Sequence, residues 1–411
     1  MKIYLVGGAI RDEQLGLPIN ERDWCVVGAK PEDLLSKGYR RVGKDFPVFL
    51  HPKTGEEYAL ARTEKKVAPG YDGFTFQTSP DVSIDEDLKR RDLTINAMAK
   101  DNKNNLIDPF DGMIDLRNKI LRHVSDAFKE DPVRILRTAK FAARFLSLKF
   151  EIDPSTIKIM SEMVEDGEIN SLIPDRIWKE TQEALSGENP HIFFEVLNKC
   201  NALQILYPEI TIDKNQQQSK HTKIPSTHTL DVLKKSAKIS NVPEVRFATL
   251  VYRFLGSEKL DNNKALLDHK KENIIAINEI SRRLPIPSKY KDLALLVANS
   301  YKDYQQAFNL NPIAVMNLFE KLDAFRRPER LRNFLDSCEA IESMDKTSAQ
   351  LELNQNKFLL DTFNAAISIA TKDIINEEKN KIKISARIKN RRIRAIKAYK
   401  KTYLQTLDKF H

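Results

Sequence analysis

Two carboxylates stand two residues apart in "ERDW", Glu21 and Asp23, about a dozen residues after Gly7-Gly8 in "LVGGAIRDE". Alternate side chains of a strand share a face, so Glu21 and Asp23 are expected to project side by side. Paired carboxylates repel unless a cation sits between them, and an all-oxygen ligand set suits Mg²⁺. Glu57, in "GEEYALAR", is the candidate third carboxylate, supplied by another strand. Glycines between a strand and a helix let the backbone approach an anion and aim N–H groups at it. Further along, "EDPVRILRTAKFAARF" puts Arg134, Arg137, Lys140 and Arg144 on one side of a helix. Read singly, each feature has a plainer meaning: a turn, an exposed strand end, a solvated helix face. Read together, they describe a phosphate cradle facing a cation site.

These residues need elements to position them. Residues 1 to about 110 hold short β-type runs, "KIYLVGG", "DWCVVGA", "FPVFLHP" and "EEYALAR", punctuated by Pro31, Gly38, Gly43, Pro52, Gly55, Pro69 and Gly70. "AIRDEQLG" between the first two runs reads as a short helix closed by Gly16. From about residue 130 the pattern is helical. Asp131 and Pro132 signal a helix start, with Ile135, Leu136, Ala139, Ala142, Ala143 and Leu146 opposite the basic side. The polar stretch "TIDKNQQQSKHTKIPST", 211–227, is the expected linker.

A length of 411 residues allows two to four domains, and 41% apolar with 30% charged residues is a soluble globular composition. No apolar run is long enough for a membrane span or has the shape of a signal peptide, so a cytoplasmic location is expected. Cys25, Cys200 and Cys338 are too few and too scattered for a disulfide frame or a zinc ribbon. Charge is unevenly spread. Residues 371–411 carry thirteen Lys and Arg against four Asp and Glu, a surplus equal to the whole-chain net charge of +9. A basic tail on a near-neutral body points to a polyanion, or else to one solvated helix face.

The motifs "LVGGAIRDEQLGLP…ERDW", "EYALARTE", "DLKRRDLTINAMA", "DPFDG" and "EDPVRILRTAKFAARF" occur in that order. Together they resemble the class II tRNA nucleotidyltransferases, the CCA-adding enzymes, of the γ-proteobacterial type, closely over residues 1–210 and more loosely beyond. The resemblance implies that Gly8 and Arg11 meet the nucleotide triphosphate. It implies that Glu21 and Asp23 hold Mg²⁺, with Glu57 completing the catalytic carboxylates. Arg91 and Asp92 would recognise sugar and phosphates. Asp131 and Arg134 would read the base edge of CTP or ATP, with Arg137 and Lys140 contacting the nucleotide alongside.

Three features depart from the family pattern. Glu21 stands where Asp is usual, and Lys140 where Arg is usual, which loses the bidentate fork. Relatives of this type carry a His-Asp phosphohydrolase motif, but here "FATLVYRFLGSEK" offers Tyr252-Arg253, with His228 and His269 elsewhere.

The expected fold is α+β: a polymerase-β-like head with a small mixed or antiparallel sheet, then helical neck, body and tail. The expected division is a head over 1–125, a neck and body over 126–210, a linker over 211–227 and a helical C-terminal domain over 228–411. In the last, Ile393, Ile396, Tyr403 and Leu407 form the buried side of a basic tRNA-holding helix. Addition of CCA to tRNA from CTP and ATP is the expected activity, without phosphohydrolase activity, membrane or DNA. A poly(A) polymerase and a silent RNA-binding relative are the alternatives.

Overall fold

The structure, a computed structural model, describes all residues except 43–47, 67–73, 211, 214–222, 225–226, 253–262, 343–353, 378–379 and 408–411. The chain divides into two compact units, Met1–Pro208 and Glu209–His411.

The first unit opens with β1 (Lys2–Val6), α1 (Gly8–Gln14), β2 (Asp23–Val27), α2 (Pro31–Leu35), β3 (Arg40–Val42), β4 (Val48–Leu50) and β5 (Glu57–Leu60). There follow β6 (Arg62–Lys66), β7 (Phe74–Thr78), α3 (Ile84–Lys89), β8 (Ala99–Lys100), β9 (Leu106–Ile107), α4 (Gly112–Asn118) and β10 (Ile120–Leu121). Seven strands form one sheet in the order β3-β4-β5-β2-β1-β8-β9. It is mixed, because β2 and β5 run parallel while their other neighbours are antiparallel. Both faces of β2 are covered. Cys25 packs with Tyr4, Val6 and Leu88 on one side, and Val26 with Leu34, Phe49 and Leu60 on the other. The fold is α+β with a small mixed sheet, as expected.

Two local expectations change. Glu21 precedes β2 rather than lying in it. The β1–β2 ladder ends at Val6↔Asp23, because Gly7 turns into the left-handed region at φ 73° and leaves no strand opposite residue 21. "EEYALAR" is also not one strand. It breaks at Ala61, after which β6 leaves the sheet to pair with β7 in a hairpin.

The rest of the unit is helical: α5 (Val133–Phe145), a short β11 (Glu151–Ile152), α6 (Pro154–Glu165), α7 (Pro174–Ser186), α8 (Pro190–Lys199) and α9 (Leu203–Leu206). Pro132 caps α5, and the Asp131 carboxylate accepts from Val133 N at 3.0 Å, which is the start that the sequence signals. α5 packs against α7 and α8. Ile135, Leu136, Ala139, Ala142 and Ala143 are buried as expected, but Leu146 is exposed where the helix ends, and Arg134 is buried.

In the second unit, β12 (Ile212–Asp213) and β13 (Lys223–Ile224) pair antiparallel; they are the described part of the expected linker, together with Thr227. Then come α10 (Thr227–Ile239), α11 (Pro243–Val251), α12 (Asn263–Arg283), α13 (Ser288–Gln305), α14 (Pro312–Lys321) and α15 (Pro328–Glu342). The unit closes with α16 (Gln355–Ile367), α17 (Lys372–Glu377) and α18 (Lys381–Leu407). α11 lies among α10, α13 and α15, while α18 packs on α14 and α16. Ile396 is fully buried under α18 and Ile393 and Tyr403 are half-buried; Leu407's side chain lies outside the described residues. Lys383, Arg387, Arg394, Lys397 and Lys401 are exposed, at spacings of three, four and seven that align them along one side of the helix.

Candidate active site

A cavity of about 1130 Å³ lies within the first unit, lined by groups from the β1 turn, α1, the approach to β2, α5 and α7. Gly7, Gly8, Arg11, Glu21, Asp23, Arg91, Asp92, Asp131, Arg134, Arg137 and Lys140 all border it. Glu57 does not border this space. It lines a smaller cavity of about 190 Å³ that shares Asp23, Arg90 and Arg91 with the larger one.

The carboxylate end is set by strand register. β2 and β5 pair Asp23 with Glu57, and the next pair, Trp24 and Tyr58, stack at 5.6 Å. Trp24 also donates to Glu56 at 3.1 Å, so three consecutive contacts fix the alignment. Side chains paired across parallel strands share a face, which sets Asp23 and Glu57 side by side at strand spacing of about 4.8 Å. Loss of water raises the Asp23 carboxyl above the ordinary range; Arg91 and Arg137 oppose this, and the charge of Glu21 adds to it.

Across from it, the Gly7 turn is crowded by Arg91. Gly7's φ of 73° favours glycine, and a Cβ there would lie 2.9 Å from the Arg91 guanidinium, so a side chain would displace that arginine. Arg11 is buried, donating to Asp12 at 2.9 Å and to Asn96 at 2.5 Å, with its guanidinium 5.0 Å from the Phe141 ring and 5.2 Å from Phe145. Asp12 in turn meets Arg144 at 2.9 Å.

Asp92 is buried and accepts from Leu93 N at 2.8 Å, Asn96 at 3.0 Å and Arg137 Nε at 2.7 Å. Burial alone would raise its carboxyl, but Arg137 and these donors hold it well below the carboxylate range. Asp92 likewise raises the Arg137 guanidinium. The pair joins the head to α5.

Along α5 and α7 runs a row of ion pairs. Asp131 takes a two-pronged contact from Arg176 at 3.1 and 2.8 Å, and Lys140 lies 2.5 Å from both Glu180 and Glu183. Arg134 donates to the carbonyls of Ala127 and Arg90, the latter at 2.5 Å. Sequence reasoning missed Arg176, Glu180 and Glu183, and also Asn96, Phe141 and Asp87. A signal was present for the first three. They recur at i, i+4 and i+7 in "PDRIWKETQEALS", the spacing of one helix face, with charges complementary to Asp131 and Lys140.

Among the described residues no group of three or more His, Cys, Asp or Glu forms a ready metal cage. The oxygen-only pair Glu21 and Asp23 still fits a hard cation that shares its sphere with water and substrate phosphate.

A family profile described as "Poly A polymerase head domain" matches residues 3–122, and one described as "Probable RNA and SrmB- binding site of polymerase A" matches residues 149–213. A solved structure titled "The structure of CCA-adding enzyme apo form II" is similar with TM-score 0.65 at 18% identity, over 96% of this chain and 88% of that one. A Thermotoga maritima CCA-adding enzyme complexed with tRNA is similar with TM-score 0.63 at 18% identity, over 99% of this chain and 91% of that one. The fold is that of a protein with a polymerase-β-like head and a helical body. The chain is also 46% identical over 404 residues to a "Multifunctional CCA protein" of Thioalkalivibrio sulfidiphilus (strain HL-EbGR7), covering 97% of this chain and 99% of that protein. It belongs to the CCA-adding enzyme family.

Proposed function

We propose that the protein adds CCA to the 3′ end of tRNA from CTP and ATP, in the cytoplasm, releasing pyrophosphate. The observation that carries this reading is Asp23, aligned with Glu57 by strand register, in one cavity with an arginine held over the Gly7 turn and the basic side of α5.

Glu21 and Asp23 would hold Mg²⁺, with Glu57 as the third carboxylate; a cation bound there polarises the α-phosphate and neutralises the departing pyrophosphate. Gly8 and Arg11 border the triphosphate position, Arg11 being fixed by Asp12, Asn96 and two phenylalanines so that little side-chain freedom is lost on binding. Arg91 and Asp92 serve sugar and phosphates, and Arg137 is oriented by Asp92. Asp131 and Arg134 present an acceptor and a donor to the base edge. Lys140, engaged by Glu180 and Glu183, meets the nucleotide when that cluster opens toward it.

The division into head 1–125, neck and body 126–210, linker 211–227 and C-terminal domain 228–411 is kept as part of this reading. The C-terminal domain is read as tRNA-holding and without phosphohydrolase activity. Tyr252 is buried against Tyr301 at 5.2 Å, packed as a core residue. Arg253 and the side chain of His269 lie outside the described residues, and His228 is half-buried on α10.

Incorporation of labelled CTP and ATP into tRNA lacking its last three nucleotides tests the whole reading. Two cytidines followed by one adenosine are expected. Long adenosine tails, with no product from CTP alone, would establish the poly(A) polymerase that the head profile also admits.

A further inference from the structure

Asp87 lies on α3, 1% exposed, at the smaller cavity that Glu57 lines, and its carboxylate holds two of the arginines that border the main cavity. Arg90 donates to it through Nε at 3.2 Å and Nη2 at 2.6 Å, and Arg91 through Nη2 at 3.2 Å. Arg91's other terminal nitrogen is the atom that crowds Gly7. Arg90 is tied further, its Nε donating to the Arg62 carbonyl at 3.2 Å and its own carbonyl accepting from Arg134 at 2.5 Å. One buried carboxylate thus reaches the arginine over the phosphate turn directly, and the arginine at the base end through Arg90.

The charges have a direction. One carboxylate against two guanidinium groups leaves a surplus positive charge, and both arginines border the main cavity whereas Asp87 lines only the smaller one, beside Glu57. Among the described residues the buried Nε of Arg91 has no hydrogen-bond partner, so that guanidinium keeps a donor in reserve. A free arginine carries rotamer entropy that a fixed partner removes before any ligand arrives. Burial alone would raise Asp87, but Arg90 and then Arg91 hold its carboxyl lowered to about 2, so it stays charged at working pH.

We propose that Asp87 is a positioning residue for nucleotide binding: it holds Arg91 across the Gly7 turn and, through Arg90, supports Arg134, so that the triphosphate meets a preformed cation and the base edge a fixed donor. This rests on the reading of Arg91 as a nucleotide contact.

Steady-state kinetics of the full chain on trimmed tRNA test it, using Asp87→Asn, Arg91→Met, the double variant and Asp87→Glu. Asp87→Asn is expected to raise KM for CTP and ATP by about tenfold while kcat stays within about threefold, the pattern of lost ground-state binding. KM for tRNA should not move. The double variant should be no worse than Arg91→Met, because the two side chains act as one unit. Asp87→Glu should recover part of the loss. An unchanged nucleotide KM in Asp87→Asn, or effects of the two single variants that multiply, overturns the proposal and leaves Asp87 a structural ion pair. Should Asp87→Asn fail to fold, Asp87→Glu replaces it. Its KM change must vanish in the Arg91→Met background, and persistence there overturns the proposal. Arg91→Met with normal nucleotide KM refutes the Arg91 assignment itself, whereas a raised KM there beside a silent Asp87→Asn refutes only the positioning role.

Discussion

Asp23 is where the site's chemistry is most concentrated. It ends the β1–β2 ladder, faces Glu57 across the parallel pair and borders both cavities. Asp23→Asn keeps the shape and removes the charge. If the carboxylate holds the metal, transfer of both CMP and AMP should fall at least about 100-fold, roughly 2.7 kcal/mol of barrier. Binding of tRNA, measured by filter retention, should be unaffected. A loss under about tenfold would sink the assignment. Glu21→Asp is the milder companion. Because Glu21 stands before the strand rather than in it, the backbone there has room to adjust, and activity should survive.

At the scale of elements, α5 is both a wall of the site and a part of the core, and Arg134 shows the conflict. It is expected to face the base edge, and it borders the cavity, yet it is also buried and donates to two backbone carbonyls. Arg134→Ala should therefore do two things. It should relax the choice of CTP and ATP over UTP and GTP by about 1–3 kcal/mol. It should also lower the melting temperature, since unpaired buried carbonyls cost about 1–3 kcal/mol. Unchanged base choice beside a lowered melting temperature would make Arg134 a helix anchor only. The strand, glycine turn, short helix and second strand were legible because each is specified locally. So was the start of α5, from Asp131 and Pro132. What could not be read was set by partners distant in sequence. Glu21 lost its strand because Gly7 ends the neighbouring one, β6 left the sheet for β7, and Arg134 turned inward to carbonyls from residues 127 and 90. The ladder from Asp131 to Lys140 became visible only once α7 lay beside α5.

On the scale of the whole molecule, the excess charge is carried by α18. Some of its cations are spent inside the second unit: Lys389 meets Glu320 at 2.5 Å, Arg391 meets Asp373 at 2.8 Å, and Arg392 covers Phe325 at 3.7 Å. The exposed Lys383, Arg394, Lys397 and Lys401 are the cations expected to meet phosphates. Replacing Lys383, Arg394, Lys397 and Lys401 by Gln, which leaves Ile396 in place, should weaken tRNA binding. The slope of log affinity against log salt should flatten by up to about one unit per lost phosphate contact. Equal slopes for the two proteins would leave the row as a solvated face. The same unit should show no metal-stimulated hydrolysis of 2′,3′-cyclic AMP when tested in the Asp23→Asn protein with Ni²⁺, Mn²⁺ or Mg²⁺. Hydrolysis that disappears on His228→Ala would prove that reading wrong.

The cavity's walls have a further consequence, which concerns time. All the groups that line it fall between Gly7 and Glu188, so they are synthesised before any residue of the second unit emerges. A first unit that folds on its own would hold CTP while α18 is still unmade, and a ligand that binds the folded form alone stabilises it by mass action. Ribosome-arrested chains of about 250 residues, treated with protease, should be cut more slowly in the first unit when CTP is present, within the pace of bacterial synthesis of about 5–20 residues per second. Equal cutting with and without CTP would mean that the binding site matures only after the chain is released.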